Sequence, residues 1–430
     1  MIEQHFTTRG MSNPMWAPAR PRDIRRPFVQ SVRARIAPVL LSWLVLLSGA
    51  AFAESSSVRA LQVDVLADEL DGPWGLAFLP DGRMLVSERG GALLLLDAQG
   101  NRLATVRNVP EAFVKLQGGL LDVALHPKFD RNSIVYLSLA YGRQKHNTTR
   151  VVRAVLKDES LENVEVIFDT TPKGTSVHYG GRLAFMRDGT LLVTTGEGAE
   201  YREDAQRLDS LLGKVVRIND DGTIPADNPF VDTPGAEPAV WSYGHRNPQG
   251  LYVDPESDAV YAAEHGPRGG DEINVIEKGI NYGWPIATHG IDYTGGRISP
   301  FETYPGMREP LVYWTPSIGP GGIAMYRGAM FPEWEGDLLV AVLGHTHLRR
   351  VDMEDGRVIA QYPLLEDRQA RFRQVEIGPD GALYALVEGV AGADRSGQVL
   401  RISARGHNPA AASRRSELLS EAGDRSLRSR

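Results

Sequence analysis

Four short stretches of this chain combine residue types that can do chemistry. His178-Tyr179-Gly180-Gly181-Arg182 sets a histidine in a glycine-rich junction, where a near-neutral imidazole has room to take a proton from a substrate. A loop histidine bonded to a main-chain carbonyl fits the same residues equally well. In Gly244-His245-Arg246-Asn247-Pro248-Gln249-Gly250, Arg246 offers a permanently charged fork for a carboxylate or polarised oxygen, and Asn247 adds a donor and an acceptor. A structural salt bridge is the plainer use of that arginine. Glu264-His265-Gly266-Pro267-Arg268-Gly269-Gly270-Asp271-Glu272 mixes acids with glycines, and hard cations such as calcium accept carboxylates and main-chain carbonyls together. The spacing is not that of an EF-hand, and a solvated acidic loop is the alternative. Arg371-Phe372-Arg373 places two guanidinium groups two positions apart, on one side of a strand, where they converge on a polyanion or decorate a solvated edge. His345-Thr346-His347 has the same spacing but lacks a third ligand nearby.

Such loops need a rigid frame, and one phrase recurs along the chain: an apolar strand, a turn of Pro-Asp-Gly type, and a second apolar strand. It begins at Leu76 (LAFLPDGRMLVSE), Val123, Leu183 (LAFMRDGTLLVTTG), Leu251, Ile323 and Val375 (VEIGPDGALYALVE). Six copies spaced by roughly 45 to 75 residues predict an all-β, six-bladed β-propeller with long loops. A four-stranded sheet buries both faces only against neighbours, and a closed ring provides them. Strands do not alternate with long amphipathic helices, which excludes Rossmann and TIM architectures; a β-sandwich is the remaining alternative. Only Glu203 to Leu212 reads as weakly helical. The stretch Trp241 to Pro285 holds a predicted hairpin turning at Asp254-Pro255-Glu256, with glycine-rich loops at its ends.

Composition narrows the partners. A net charge of −7 argues against a broad nucleic-acid surface, which needs a basic face. Arginines from Arg20 to Arg35, the apolar run Ile36 to Ala50 and the Ala51-Phe52-Ala53 cleavage pattern read as an export signal over residues 1–53. The run falls short of the ~20 apolar residues a spanning helix needs, so no stable membrane insertion is expected after signal removal. Met11 and Met15 are alternative starts, and Arg25-Arg26 leaves twin-arginine export open beside the general route. With no cysteine in the chain, disulfides and thiolate chemistry are excluded, and the expected location is a periplasm. Residues 54–402 form the expected domain, and 403–430 read as a tail without periodicity.

Taken in order, the phrases PWGLAFLPDGRMLVSERGG, QGGLLDVALHP, HYGGRLAFMRDG, LLGKVVRINDDGTIPADNPF, YGHRNPQGL, EHGPRGGDEINVIEKGINYGWP and RFRQVEIGPDG resemble the soluble glucose/sorbosone dehydrogenase family, and most closely its bacterial aldose sugar dehydrogenases. The resemblance implies a six-bladed propeller that uses pyrroloquinoline quinone (PQQ) and calcium to oxidise aldoses at C1 to lactones, passing electrons to a soluble acceptor. It implies that His178 is the general base and that Gln117 and Arg246 hold the sugar and a quinone oxygen. Asn247, Arg371, Arg373 and Ser317 would contact the cofactor, and the carbonyls of Gly266 and Pro267 would hold its calcium. Glu272 and Tyr282 match a second, structural calcium. Where that family usually carries a lysine for PQQ, this chain has Gly344. The departure motivates an alternative, a propeller that has lost PQQ and binds a carbohydrate or a protein partner. A calcium-dependent lactone hydrolase is a third reading, poorly supported by these motifs.

Overall fold

The computed structural model describes residues 60–390 and 396–406. The expected export signal and all but the first four residues of the expected tail lie outside them.

Each repeated phrase forms the first two strands of a four-stranded antiparallel sheet. The initial strand β1 (Leu61–Leu70) stands outside the first sheet, and blade one is β2 (Pro73–Phe78), β3 (Met84–Glu88), β4 (Leu93–Leu96) and β5 (Arg102–Thr105). Blade two is β6 (Leu120–Leu125), β7 (Ile134–Arg143), β8 (His146–Lys157) and β9 (Ser160–Asp169). Blade three is β10 (Leu183–Phe185), β11 (Leu191–Thr195), β12 (Lys214–Ile218) and β13 (Val240–Tyr243). Blade four is β14 (Pro248–Val253), β15 (Val260–Glu264), β16 (Asp271–Ile276) and β17 (Val312–Trp314). Blade five is β18 (Pro320–Met325), β19 (Leu338–Val342), β20 (His347–Glu354) and β21 (Arg357–Leu364). Blade six is β22 (Ala370–Ile377), β23 (Leu383–Val390) and β24 (Gly397–Ala404), completed by β1.

The ring closes because both faces of each strand are apolar. Val135 and Leu137 of β7 pack toward blade one, whereas the alternating residue Tyr136 joins Leu191 and Val193 of blade three. In β11, Leu192 turns the other way, onto Leu251 and Ala262 of blade four. Period-two alternation therefore feeds two cores per sheet. First strands touch in sequence, β2–β6–β10–β14–β18–β22 and back to β2, so they line the axis. The last sheet borrows its outer strand from the start of the domain: β1 pairs antiparallel with β24, from Leu61 opposite Ala404 to Leu70 opposite Gly397. This pairing carries the last strand two residues past the expected domain edge at 402. The weak helical signal after Glu203 survives only as a 3-10 turn, Arg202–Gln206, because Leu211 and Leu212 are drawn into the blade cores instead.

Arg182 pins the axis. Its guanidinium donates to the Gln249 carbonyl (2.7 Å), Asp122 Oδ1 (3.1 Å) and the Trp74 carbonyl (3.3 Å), and stacks 3.9 Å over the Trp74 ring. One fully buried cation from blade three thus holds the inner edges of blades one, two and four.

Candidate functional site

Antiparallel pairing brings the start of β14 beside the end of β15, with Pro248 opposite Glu264. Arg246-Asn247 before β14 and His265-Gly266-Pro267 after β15 therefore meet at one end of the ring. There they line a cavity of about 400 Å³ shared with Gln117, His178, Ser317, Arg371 and Arg373. Strands and loops of blades two to six meet there, a geometry that no local pattern contains. Trp74, Arg89, Gln249, Tyr293, Gly344 and Glu388 line it as well.

His178 stands in the left-handed region (φ 51°), which turns its ring inward just ahead of Gly180 and Gly181, also at positive φ. Its N–H donates to Gln117 Oε1 (2.8 Å), and its ring Nδ1 lies 3.1 Å from Oε1 of Glu197, a carboxylate with no exposed surface. An ionised carboxylate only accepts, so Nδ1 carries the proton and Nε2 keeps its lone pair. Nε2 has no hydrogen-bond partner among the described residues. Burial holds the His178 pKa below its usual value against the opposing pull of Glu197, so the ring is neutral at pH 7 and can accept a proton. Glu197 directly follows the repeated phrase LAFMRDGTLLVTTG, 19 positions beyond His178, where strand alternation gives no sign of the side chain it will meet.

Arg246 is oriented from every side. Glu264 Oε2 accepts its N–H (2.8 Å), and its Nη1 donates to the carbonyls of His265 (2.9 Å) and Gly266 (2.7 Å). Its buried Nε has no hydrogen-bond partner and lies 3.9 Å from Glu197. Asn247 Oδ1 accepts the Gly180 N–H (3.2 Å), fixing the His178 loop to blade four. The neighbouring His245 is fully buried between Glu264 (3.0 Å), Ser242 (2.9 Å) and the Tyr282 ring, and plays a structural part. Arg373 is held by Glu388 (2.7 Å) and Gln249 (2.6 Å), and Arg371 reaches the Leu343 carbonyl (3.1 Å). Phe372 between them points into the core, so the two arginines do share the cavity side.

Four guanidiniums line this cavity against two carboxylates, Asp271 and Glu388. Asp271 is committed to the main-chain N–H groups of Gly266, Ile318 and Gly319, each at 2.7 Å, and Ser317 Oγ bridges Asp271 and the Pro267 carbonyl at 3.1 Å. A cavity so charged suits a polyanion. The Gly266 carbonyl, expected to face a cation, accepts from Arg246, with its second lone pair still available. Glu272 and Tyr282 are not in this cavity but in a much smaller adjoining one, together with Glu264, Gly266 and Thr288. Burial and the Glu264 charge push the Glu272 carboxyl up to about 8, a placement that a bound cation would reverse. Among the described residues there is no group of three or more acidic, histidine or cysteine side chains set to hold a metal, so a cation here would depend on main-chain oxygens.

Gly344 lines the large cavity, and His345, His347 and Arg349 do not. His347 is buried with Nδ1 3.0 Å from the His345 carbonyl, the two imidazole rings lie 6.4 Å apart, and Arg349 lies over Trp314. A Cβ at Gly344 would come within 2.6 Å of the Ile318 carbonyl oxygen, so the local backbone is built for glycine.

The model of the glucose/sorbosone dehydrogenase family matches residues 70–410. The chain belongs to that family. It is 41% identical over 369 residues to an aldose sugar dehydrogenase of Escherichia coli, covering 84% of this chain and 97% of that one. The crystal structure of a soluble aldose sugar dehydrogenase from Escherichia coli in its apo-form superposes with a TM-score of 0.77 at 40% identity, covering 80% of this chain and all of the other. A PQQ-bound aldose sugar dehydrogenase from Streptomyces coelicolor aligns with a TM-score of 0.65 at 31% identity, covering 80% of this chain and 99% of the other.

Proposed function

We propose that this chain is an exported, periplasmic quinoprotein that oxidises aldoses at C1 to lactones with PQQ and calcium. The observation that carries it is His178: neutral, braced by Glu197, its free Nε2 in a cavity rich in guanidinium groups. When bound, the quinone supplies the two-electron acceptor for the C1 hydride, and its calcium polarises the accepting carbonyl. His178 Nε2 takes the proton of the anomeric hydroxyl, and Glu197 stabilises the imidazolium that results. Arg246 and Gln117 would hold the sugar and a quinone oxygen, while Asn247, Arg371, Arg373 and Ser317 would serve the cofactor. The Gly266 and Pro267 carbonyls would hold the catalytic calcium, with Glu272 and Tyr282 at the structural one. Export rests on the signal pattern of residues 1–53, and no helix among the described residues is long and apolar enough to cross a membrane. Electrons would leave to a soluble acceptor.

Apo-protein titrated with PQQ in the presence of calcium should show saturable absorbance changes and then reduce an artificial dye when given aldoses. No PQQ uptake and no turnover across a broad sugar panel would refute the proposal. Gly344 favours one other reading, a propeller without PQQ that binds carbohydrate, because none of His345, His347 and Arg349 enters the cavity in place of the missing lysine. Saturable sugar binding without PQQ uptake would select it.

A further inference from the structure

Lys173 is buried behind the cavity, five residues ahead of His178, and the cavity does not include it. Its ammonium donates to the His178 main-chain carbonyl at 2.6 Å, and no other donor reaches that oxygen among the described residues. Both main-chain groups of Lys173 are fixed to Asn147 of β8, at 3.0 and 2.8 Å. Asn147 also accepts the Tyr179 hydroxyl (2.7 Å), and the ammonium lies 3.8 Å from the centroid of the Tyr179 ring. The fold makes space for this side chain: a Cβ at Gly198 would fall 2.9 Å from Lys173 Cδ.

Such an arrangement is poorly suited to stabilising the fold. No carboxylate lies within ion-pairing distance among the described residues, and an ammonium stripped of water with so few partners is costly to bury. Burial pushes its pKa down to about 7. What it does hold is a histidine in a backbone conformation that L-residues seldom adopt, at φ 51°.

We propose that Lys173 is the positioning residue for the catalytic base: by gripping the main-chain carbonyl of His178 it keeps the strained turn closed and ring Nε2 aimed into the cavity. This rests on the reading of His178 as the base. The charged groups facing the imidazole are Glu197, Arg246 and Lys173. Glu197 favours the imidazolium, and the two cations oppose it.

The test is Lys173→Met in the full chain reconstituted with PQQ and calcium. Expected are a fall in kcat of at least tenfold, a PQQ dissociation constant within threefold of wild type, an undiminished Tm, and an acid limb of kcat/KM moved to higher pH by the lost positive charge. Because the chain has no cysteine, Lys173→Cys can be alkylated selectively after unfolding. Aminoethylation, which rebuilds a lysine-like amine, should restore kcat to within threefold of a wild-type sample refolded in parallel, and carboxamidomethylation should not. A Lys173→Met kcat within threefold of wild type, a loss matched by equal loss of PQQ uptake and Tm, or failure of aminoethylation to rescue overturns the proposal. If wild type itself turns over no aldose, the functional reading fails separately. In that case the imidazole nitrogen signals of His178 in the apo-protein still decide: one tautomer in wild type and a mixture in Lys173→Met supports the anchor, and identical spectra refute it.

Discussion

Replacing Glu197 by glutamine isolates the electrostatic part of the proposed base. Nδ1 and Oε1 are 3.1 Å apart and the carboxylate is fully buried, so solvent screens the pair little. Opposite unit charges about 4 Å apart attract by ~4 kcal/mol at an effective dielectric of 20. With the proton about half transferred in the transition state, some ~2 kcal/mol of that is lost, a fall of roughly 30-fold in kcat. An amide that turned its NH2 toward Nδ1 would impose the wrong tautomer and deepen the loss toward ~10⁴-fold. Because Glu197 raises the His178 pKa against burial, its removal should also move the acid limb of the rate profile to lower pH, the opposite direction to Lys173→Met. The assay is steady-state dye reduction by PQQ-loaded protein from pH 4 to 8, beside a PQQ titration. Glu197 does not line the cavity, so cofactor affinity should change by less than about threefold. A kcat within threefold of wild type, or a loss confined to cofactor affinity, would refute the reasoning.

Other outcomes follow from the same geometry. Calcium at about 100 times its dissociation constant should stabilise the protein by ~2.7 kcal/mol in calorimetry, and Glu272→Gln should lose the part due to the small cavity. Arg182→Ala strands the buried Asp122 and frees the inner edges of the neighbouring blades, so denaturant unfolding should show a loss of about 3–5 kcal/mol. Gly344→Lys should not simply gain affinity: its Cβ collides with the Ile318 carbonyl, and a loss of about 1–3 kcal/mol in stability is expected in the same assay. Arg371→Met, at a half-exposed site, should weaken PQQ binding by roughly tenfold while leaving Tm unchanged, as read by titration and thermal melt.

Much of the ring was legible because each blade begins with the same local event. Alternating residues such as Leu191, Leu192 and Val193 state that both faces are apolar, and Pro-Asp-Gly turns mark where strands reverse. The closing strand was not legible. Leu61–Leu70 pairs with a partner more than 300 residues away, and its half-exposed sequence differs little from any edge strand. At the site, conspicuous clusters drew attention to His178, Arg246 and Arg373, while their quieter partners Glu197, Glu388 and Lys173 were missed. Glu388 closes the repeated phrase that begins at Val375 and Glu197 follows the one that begins at Leu183, where alternation marks a strand end but does not reveal which side chain across the turn it will meet.

The sequence by itself determined the all-β repeat, the number of blades and the short motifs that supply the cavity, since these depend on period-two alternation, turn chemistry and neighbours along the chain. Only the tertiary structure decided which nitrogen of His178 is free, which arginines are already paired, that Glu272 belongs to a second, smaller cavity, and that His345, His347 and Arg349 stay out of the large one. These properties depend on burial and on distances of a few ångströms between segments separate in sequence, and both come into being only when the sheets form and the ring closes.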